Sequence, residues 1–168
     1  MSIIGIDFDN TIVCYNRLFH HVALLEELIP FDLETSKTAV RDYLREQNKE
    51  DAWTELQGMV YGKHMYLASS YQGFSEFIER MNSLGRECRI ISHRTQYPVI
   101  GPHYDLHQFA WQWLSKQGYI EMWNFDEKKV FFELTIEDKL ERIKSENCSV
   151  FIDDLPEFLD RPEMPKHL

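Results

Sequence analysis

The chain opens on a short apolar stretch, S-I-I-G-I-D from Ser2 to Asp7, that ends in acids. An apolar run without polar alternation is how a strand buried in a parallel sheet reads. Over residues 17–29 the apolar positions Leu18, Val22, Leu25 and Leu28 recur at helical spacing, and Pro30 marks the stop. Two further helices are expected over 32–47 and 51–63, each opening on an acidic or hydroxyl residue. A helix over 74–84 closes at Gly85, a residue suited to the left-handed position past a helix end. It leads into a strand over 87–91 that finishes on Ser92 and His93. A helix over 104–117 closes at Gly118, and 129–132 is a strand. Thr135 caps a helix through Ile143 with Asp138 at the capping-box position, and a last strand over 149–152 ends on Asp153 and Asp154.

Strands alternating with helices predict an α/β fold, a three-layer, Rossmann-like parallel sheet with right-handed crossovers. Residues 1–14 and 71–168 are expected to form the sheet-bearing core, with 15–70 a small helical insertion. In such sheets ligands sit beyond the carboxyl ends of the strands. Asp7, Asp9, Ser92, Asp153 and Asp154 all fall there, and Lys139 lies on the helix that follows another strand.

Bulk composition narrows the reading without redirecting it. A chain of 168 residues suits one compact domain with a modest insertion, and 14% aromatic residues argue for a substantial core. The formal net charge of -10, from 28 acids against 18 bases, counts against a duplex nucleic acid or an anionic membrane as partner. No apolar run approaches a membrane span, and the first residues carry neither a basic region nor a small-residue cleavage site. Cys14, Cys88 and Cys148 are an odd count without paired metal-site spacing, and read as buried free thiols of a cytoplasmic protein.

Four carboxylates converging on one sheet edge repel each other unless a hard cation lies among them, and oxygen ligands of this kind suit Mg2+. A carboxylate beside a metal can attack phosphorus and form an acyl phosphate. A second acid can protonate the leaving oxygen and later activate water. A hydroxyl (Ser92) and an ammonium (Lys139) can hold the remaining phosphoryl oxygens.

Four segments taken together resemble the haloacid dehalogenase superfamily of phosphohydrolases. They are D-F-D-N-T at 7–11, I-I-S-H at 90–93, Lys139, and F-I-D-D at 151–154, in the family's order. The resemblance implies Asp7 as nucleophile and metal ligand. It implies Asp9 as general acid and base, its backbone carbonyl also on the metal and Thr11 steadying it. Ser92 and Lys139 would bind the phosphoryl group. Asp154 would be the direct ligand of the final acid pair, with Asp153 nearby or acting through water. An acid at position 9 favours phosphate ester hydrolysis over carbon–halogen cleavage, since the superfamily's dehalogenases lack it. The acid pair without a glycine, and the short gap after Lys139, look like a subclass that includes deoxyribonucleotidases. Residues 15–70 would be a helical cap, with Tyr15, Arg17, His20, His21, Lys63 and His64 at its two ends.

The expected function is therefore a magnesium-dependent phosphatase acting on a small phosphorylated metabolite through an aspartyl-phosphate. A 5′-nucleotidase or nucleic-acid end phosphatase is the rival within enzymes. A phospho-accepting receiver is the rival outside them, although receivers carry their acid pair at the first strand. His93 and Arg94, directly after a motif residue, are candidate substrate contacts. His103 and His107 read as loop and helix-surface residues.

Overall fold

The computed structural model describes residues 3–168, so Ser2 of the expected first strand lies outside the described residues. In chain order the elements begin with β1 (Ile3–Ile6), β2 (Val13–Cys14), α1 (Asn16–Leu25), α2 (Lys37–Glu46) and α3 (Glu50–Tyr61). A 3-10 turn (Met65–Leu67), β3 (Ser69–Ser70), α4 (Phe74–Ser83) and β4 (Glu87–His93) follow. The chain continues through α5 (Leu106–Lys116), α6 (Tyr119–Trp123), β5 (Val130–Glu133), α7 (Ile136–Ser145), β6 (Cys148–Ile152) and α8 (Pro156–Leu159). The fold is α/β: four parallel strands in the order β5-β4-β1-β6, flanked by helices. The two short strands, β2 and β3, pair separately.

The chain divides into two compact units. The first contains the residues up to Val13, Ser70–Thr95 and Gln117–Leu168, and holds the four-stranded sheet. Successive side chains of a strand point to opposite faces. On β1 this separates Ile4 and Ile6, both buried, from Gly5. A Cβ on Gly5 would lie 2.5 Å from the Phe151 ring and 3.0 Å from Cys148 Sγ, so the absence of a side chain there is a packing requirement. Helix α7 packs on β4, β5 and β6, where Leu140 and Ile143 meet Ile91, Cys148 and Phe158, with Phe131 and Phe151 at the margin. Its start is set by Thr135, whose hydroxyl accepts from the Asp138 amide at 3.0 Å and lies 2.7 Å from the Asp138 carboxylate. Helix α4 ends as expected: Gly85 takes φ 65°, and the amides of Gly85 and Arg86 bond back to Asn82 and Met81.

The second unit contains Cys14–Ser69 and Gln96–Lys116. Helix α1 packs on α2 and α3 around buried Phe19, Val22, Leu44, Trp53 and Leu56, with the Phe19 and Trp53 rings 5.0 Å apart. Residues 96–116, expected with the sheet, group instead with 14–69. Two contacts explain it: Gly58 has no Cβ to obstruct Pro98, and the buried Trp113 indole donates to the Ala68 carbonyl at 2.9 Å.

Some element ends differ from the sequence reading for local reasons. Helix α1 stops at Leu25 and not at residue 29, because Glu27 adopts φ 54° while the amides of Glu27 and Leu28 bond back to Leu24 and Ala23. The chain has thus left the helix before Pro30 is reached. Helix α2 begins at Lys37, capped by Ser36 Oγ accepting from Ala39, and not at Asp32. Helix α6, a single turn between left-handed Gly118 and Asn124, was not anticipated. Among the described residues no helix is long and apolar enough to cross a membrane.

Candidate active site

All the candidate residues belong to the first unit, and the strand register brings most of them to one level. Ile6 pairs with Ile90 on one side and Ile152 on the other. Asp7 therefore leaves β1 level with Asp153, and one residue short of Ser92. Its amide extends the ladder by bonding to Ile152 O at 2.8 Å. Beyond it the chain folds into a tight loop, in which the Ile12 and Val13 amides share the Phe8 carbonyl and Asn10 donates to Val13 O. Asn10 sits at φ 60°, a region that asparagine tolerates better than most residues. That loop carries Asp9 and Thr11.

Three of the expected metal-binding acids converge. Asp7, Asp153 and Asp154 each offer a carboxylate oxygen, all within 4.8 Å of one another. Asp153 is held by the Leu155 amide, which donates to Oδ1 at 3.0 Å. Lys139 reaches the cluster from the first turn of α7 and is itself buried. Its ammonium donates to Asp7 Oδ1 at 2.7 Å and Asp153 Oδ2 at 2.6 Å. The Phe158 ring lies 4.2 Å from that ammonium and the Phe151 ring 5.4 Å, so aromatic faces complete its shell.

Burial sets the electrostatics. Asp7 is only 5% exposed, and loss of hydration pushes its carboxyl from 3.8 up to about 7. The Lys139 ammonium pulls the other way, while Asp153 and Asp9 add repulsion. A further positive charge would relieve that repulsion. Three carboxylates form a donor set that fits a hard divalent cation such as Mg2+, a better match than a soft metal.

The end of β4 contributes differently. Ser92 is 1% exposed and its Oγ is buried without a hydrogen-bond partner. Thr11 Oγ1 is in the same condition. Buried hydroxyls are rarely left unsatisfied, and a ligand is one of the standard explanations. Arg94 continues past the strand with its amide on Glu133 O, and its side chain turns inward. Nη1 lies 2.7 Å from both Asp9 oxygens, and the guanidinium sits 5.7 Å from the Phe8 ring centre. His93 is exposed, with Nε2 3.2 Å from the Leu134 carbonyl.

The structure thus brings Asp7, Asp153, Asp154 and Lys139 together, ties Arg94 to Asp9, and buries Ser92 and the Thr11 hydroxyl. The Asp9–Arg94 pair and the aromatic floor under Lys139 escaped the sequence reading. Arg94 stands two residues after Ser92, which put it among the candidates, but nothing in the pattern names a partner 85 residues away. His20 bonds the Leu33 carbonyl and His103 stacks on Tyr97 at 3.7 Å, both within the second unit. In comparisons with known protein families, curated proteins and solved structures, nothing matches this chain.

Proposed function

We propose that the chain is a magnesium-dependent phosphatase of the haloacid dehalogenase type, hydrolysing a small phosphomonoester through an aspartyl-phosphate. The reading rests above all on one observation: a buried ammonium, Lys139, bonded to two members of a three-acid cluster at the ends of adjacent parallel strands. The strand order β5-β4-β1-β6 agrees with a three-layer, Rossmann-like core, and residues 15–70 would supply the cap.

Asp7, Asp154 and the Asp9 backbone carbonyl would hold Mg2+, with Asp153 alongside. Bound there, the ion supplies positive charge against the clustered carboxylates and the phosphoryl oxygens. An Asp7 carboxylate oxygen attacks phosphorus as the bond to the leaving oxygen breaks, and Asp9 gives that oxygen a proton. Asp9 then takes a proton from the water that attacks the aspartyl-phosphate, releasing inorganic phosphate and restoring Asp7. Ser92 Oγ and Lys139 Nζ donate to the phosphoryl oxygens throughout, where charge must be held in the transition state. The unpartnered Ser92 hydroxyl gains its acceptor in this arrangement.

The test is hydrolysis of an aryl phosphate. Turnover should require magnesium and fall to background in Asp7→Asn. Retained turnover in that variant would overturn the nucleophile, and activity undiminished by chelation would overturn the metal.

A further inference from the structure

Arg94 is a buried cation that the proposed reaction does not use. Its side chain is 3% exposed, and a charge so far from water must face an anion. The anion it faces is Asp9, the acid assigned to the leaving oxygen. Both of its carboxylate oxygens lie 2.7 Å from Nη1.

We propose that Arg94 is an anion-exchange residue. Asp9 occupies its guanidinium in the ligand-free protein, and the substrate's phosphoryl group displaces Asp9 when it binds. The inference rests on the phosphatase reading and adds to it a third phosphoryl-binding side chain and a coupling. The general acid is released to the leaving oxygen only when a phosphoryl group has arrived. Three features favour exchange over a fixed pair. Ser92, two residues earlier on the same strand end, has a buried hydroxyl without a partner, so ligand-directed groups already stand on this segment. A guanidinium presents planar donors that match a phosphoryl group's oxygens better than an ammonium does. Thr11, two residues past Asp9 on the same tight loop, has a buried hydroxyl with no partner, a donor available to a carboxylate that has left Arg94.

The experiment is a calorimetric cycle with inorganic phosphate in the presence of magnesium. It uses the unaltered chain, Asp9→Asn, Arg94→Gln and the double variant. The double variant removes both charges of the buried pair together, so neither is left unpaired, and melting curves check that each protein folds. Exchange predicts tighter phosphate binding in Asp9→Asn than in the unaltered chain, because the competing carboxylate is gone. It also predicts that adding Arg94→Gln to Asp9→Asn weakens phosphate binding by roughly ten- to a hundredfold, the usual effect of losing a charged hydrogen bond. In steady state Arg94→Gln should raise KM for an aryl phosphate by a smaller factor, because in the unaltered chain displacement of Asp9 offsets part of the Arg94 contact. Phosphate affinity within about twofold between Asp9→Asn and the double variant would overturn exchange and leave Arg94 a fixed partner of Asp9. If the unaltered chain hydrolyses phosphate esters while the cycle is flat, only this inference fails. If it neither hydrolyses them nor binds phosphate with magnesium, the phosphatase reading fails as well.

Discussion

Asp7 carries an electrostatic cost set by its burial. Its carboxyl is raised from 3.8 to about 7, chiefly by burial, so the metal-free folded chain holds a proton there that the unfolded chain has released. The sign follows directly. This group's contribution to stability is greatest below the unfolded value and declines as pH rises toward about 7, beyond which the buried charge costs of order a few kcal/mol. In chelated buffer, the melting temperature of Asp7→Asn should therefore exceed that of the unaltered chain at pH 8 and converge with it near pH 4. Equal melting temperatures at both pH values would show the charge to be well compensated without metal. At this scale much of the site was legible beforehand. Asp7, Asp153 and Asp154 stand where apolar runs end, and parallel strands of a sheet end together. Arg94 was legible only as a neighbour of Ser92, since its pairing with Asp9 depends on a loop whose shape is set by Asn10 and the Phe8 carbonyl.

Helix α7 is what delivers Lys139 to the acids. The ammonium leaves the first turn, the part of a helix most prone to fray, and the Thr135 cap is what holds that turn closed. Thr135→Ala should cost about 1 kcal/mol, a loss of roughly 2–4 °C in melting temperature for a chain of this size. On the proposed reaction it should also lower turnover of an aryl phosphate, because the Lys139 ammonium loses its support. Ser36→Ala removes the equivalent cap from α2, which carries none of the candidate residues. It should cost similar stability and leave the rate unchanged, and equal rate losses in the two variants would dissociate α7's cap from the site. Elements defined by a cap or a glycine were readable from sequence, as at Thr135 and Gly85. The end of α1 was not. Glutamate at position 27 gives no sign of a left-handed turn, and Pro30, the visible stop signal, lies past the true one.

Over the whole molecule the alternation of strands and helices disclosed the parallel sheet, because a buried strand and an amphipathic helix leave different periods in the chain. The grouping of 96–116 with 14–69 left no such mark, since it depends on Gly58 against Pro98 and on one indole finding one carbonyl. Ligand linkage is the natural measurement at this scale. Magnesium at a hundred times its dissociation constant should stabilise the fold by about 2.7 kcal/mol. Asp154→Asn should reduce the magnesium-dependent rise in melting temperature, and an identical rise in that variant would remove Asp154 from the donor set. Gly5, finally, gives the molecule a lever at a distance from its chemistry. The Phe151 ring occupies the space a side chain at position 5 would claim, and the same ring lines the seat of the Lys139 ammonium. The residue with the least functionality in the chain therefore acts as a spacer gauge. One methyl group added beneath that phenyl ring would shift the surface against which the Lys139 charge rests.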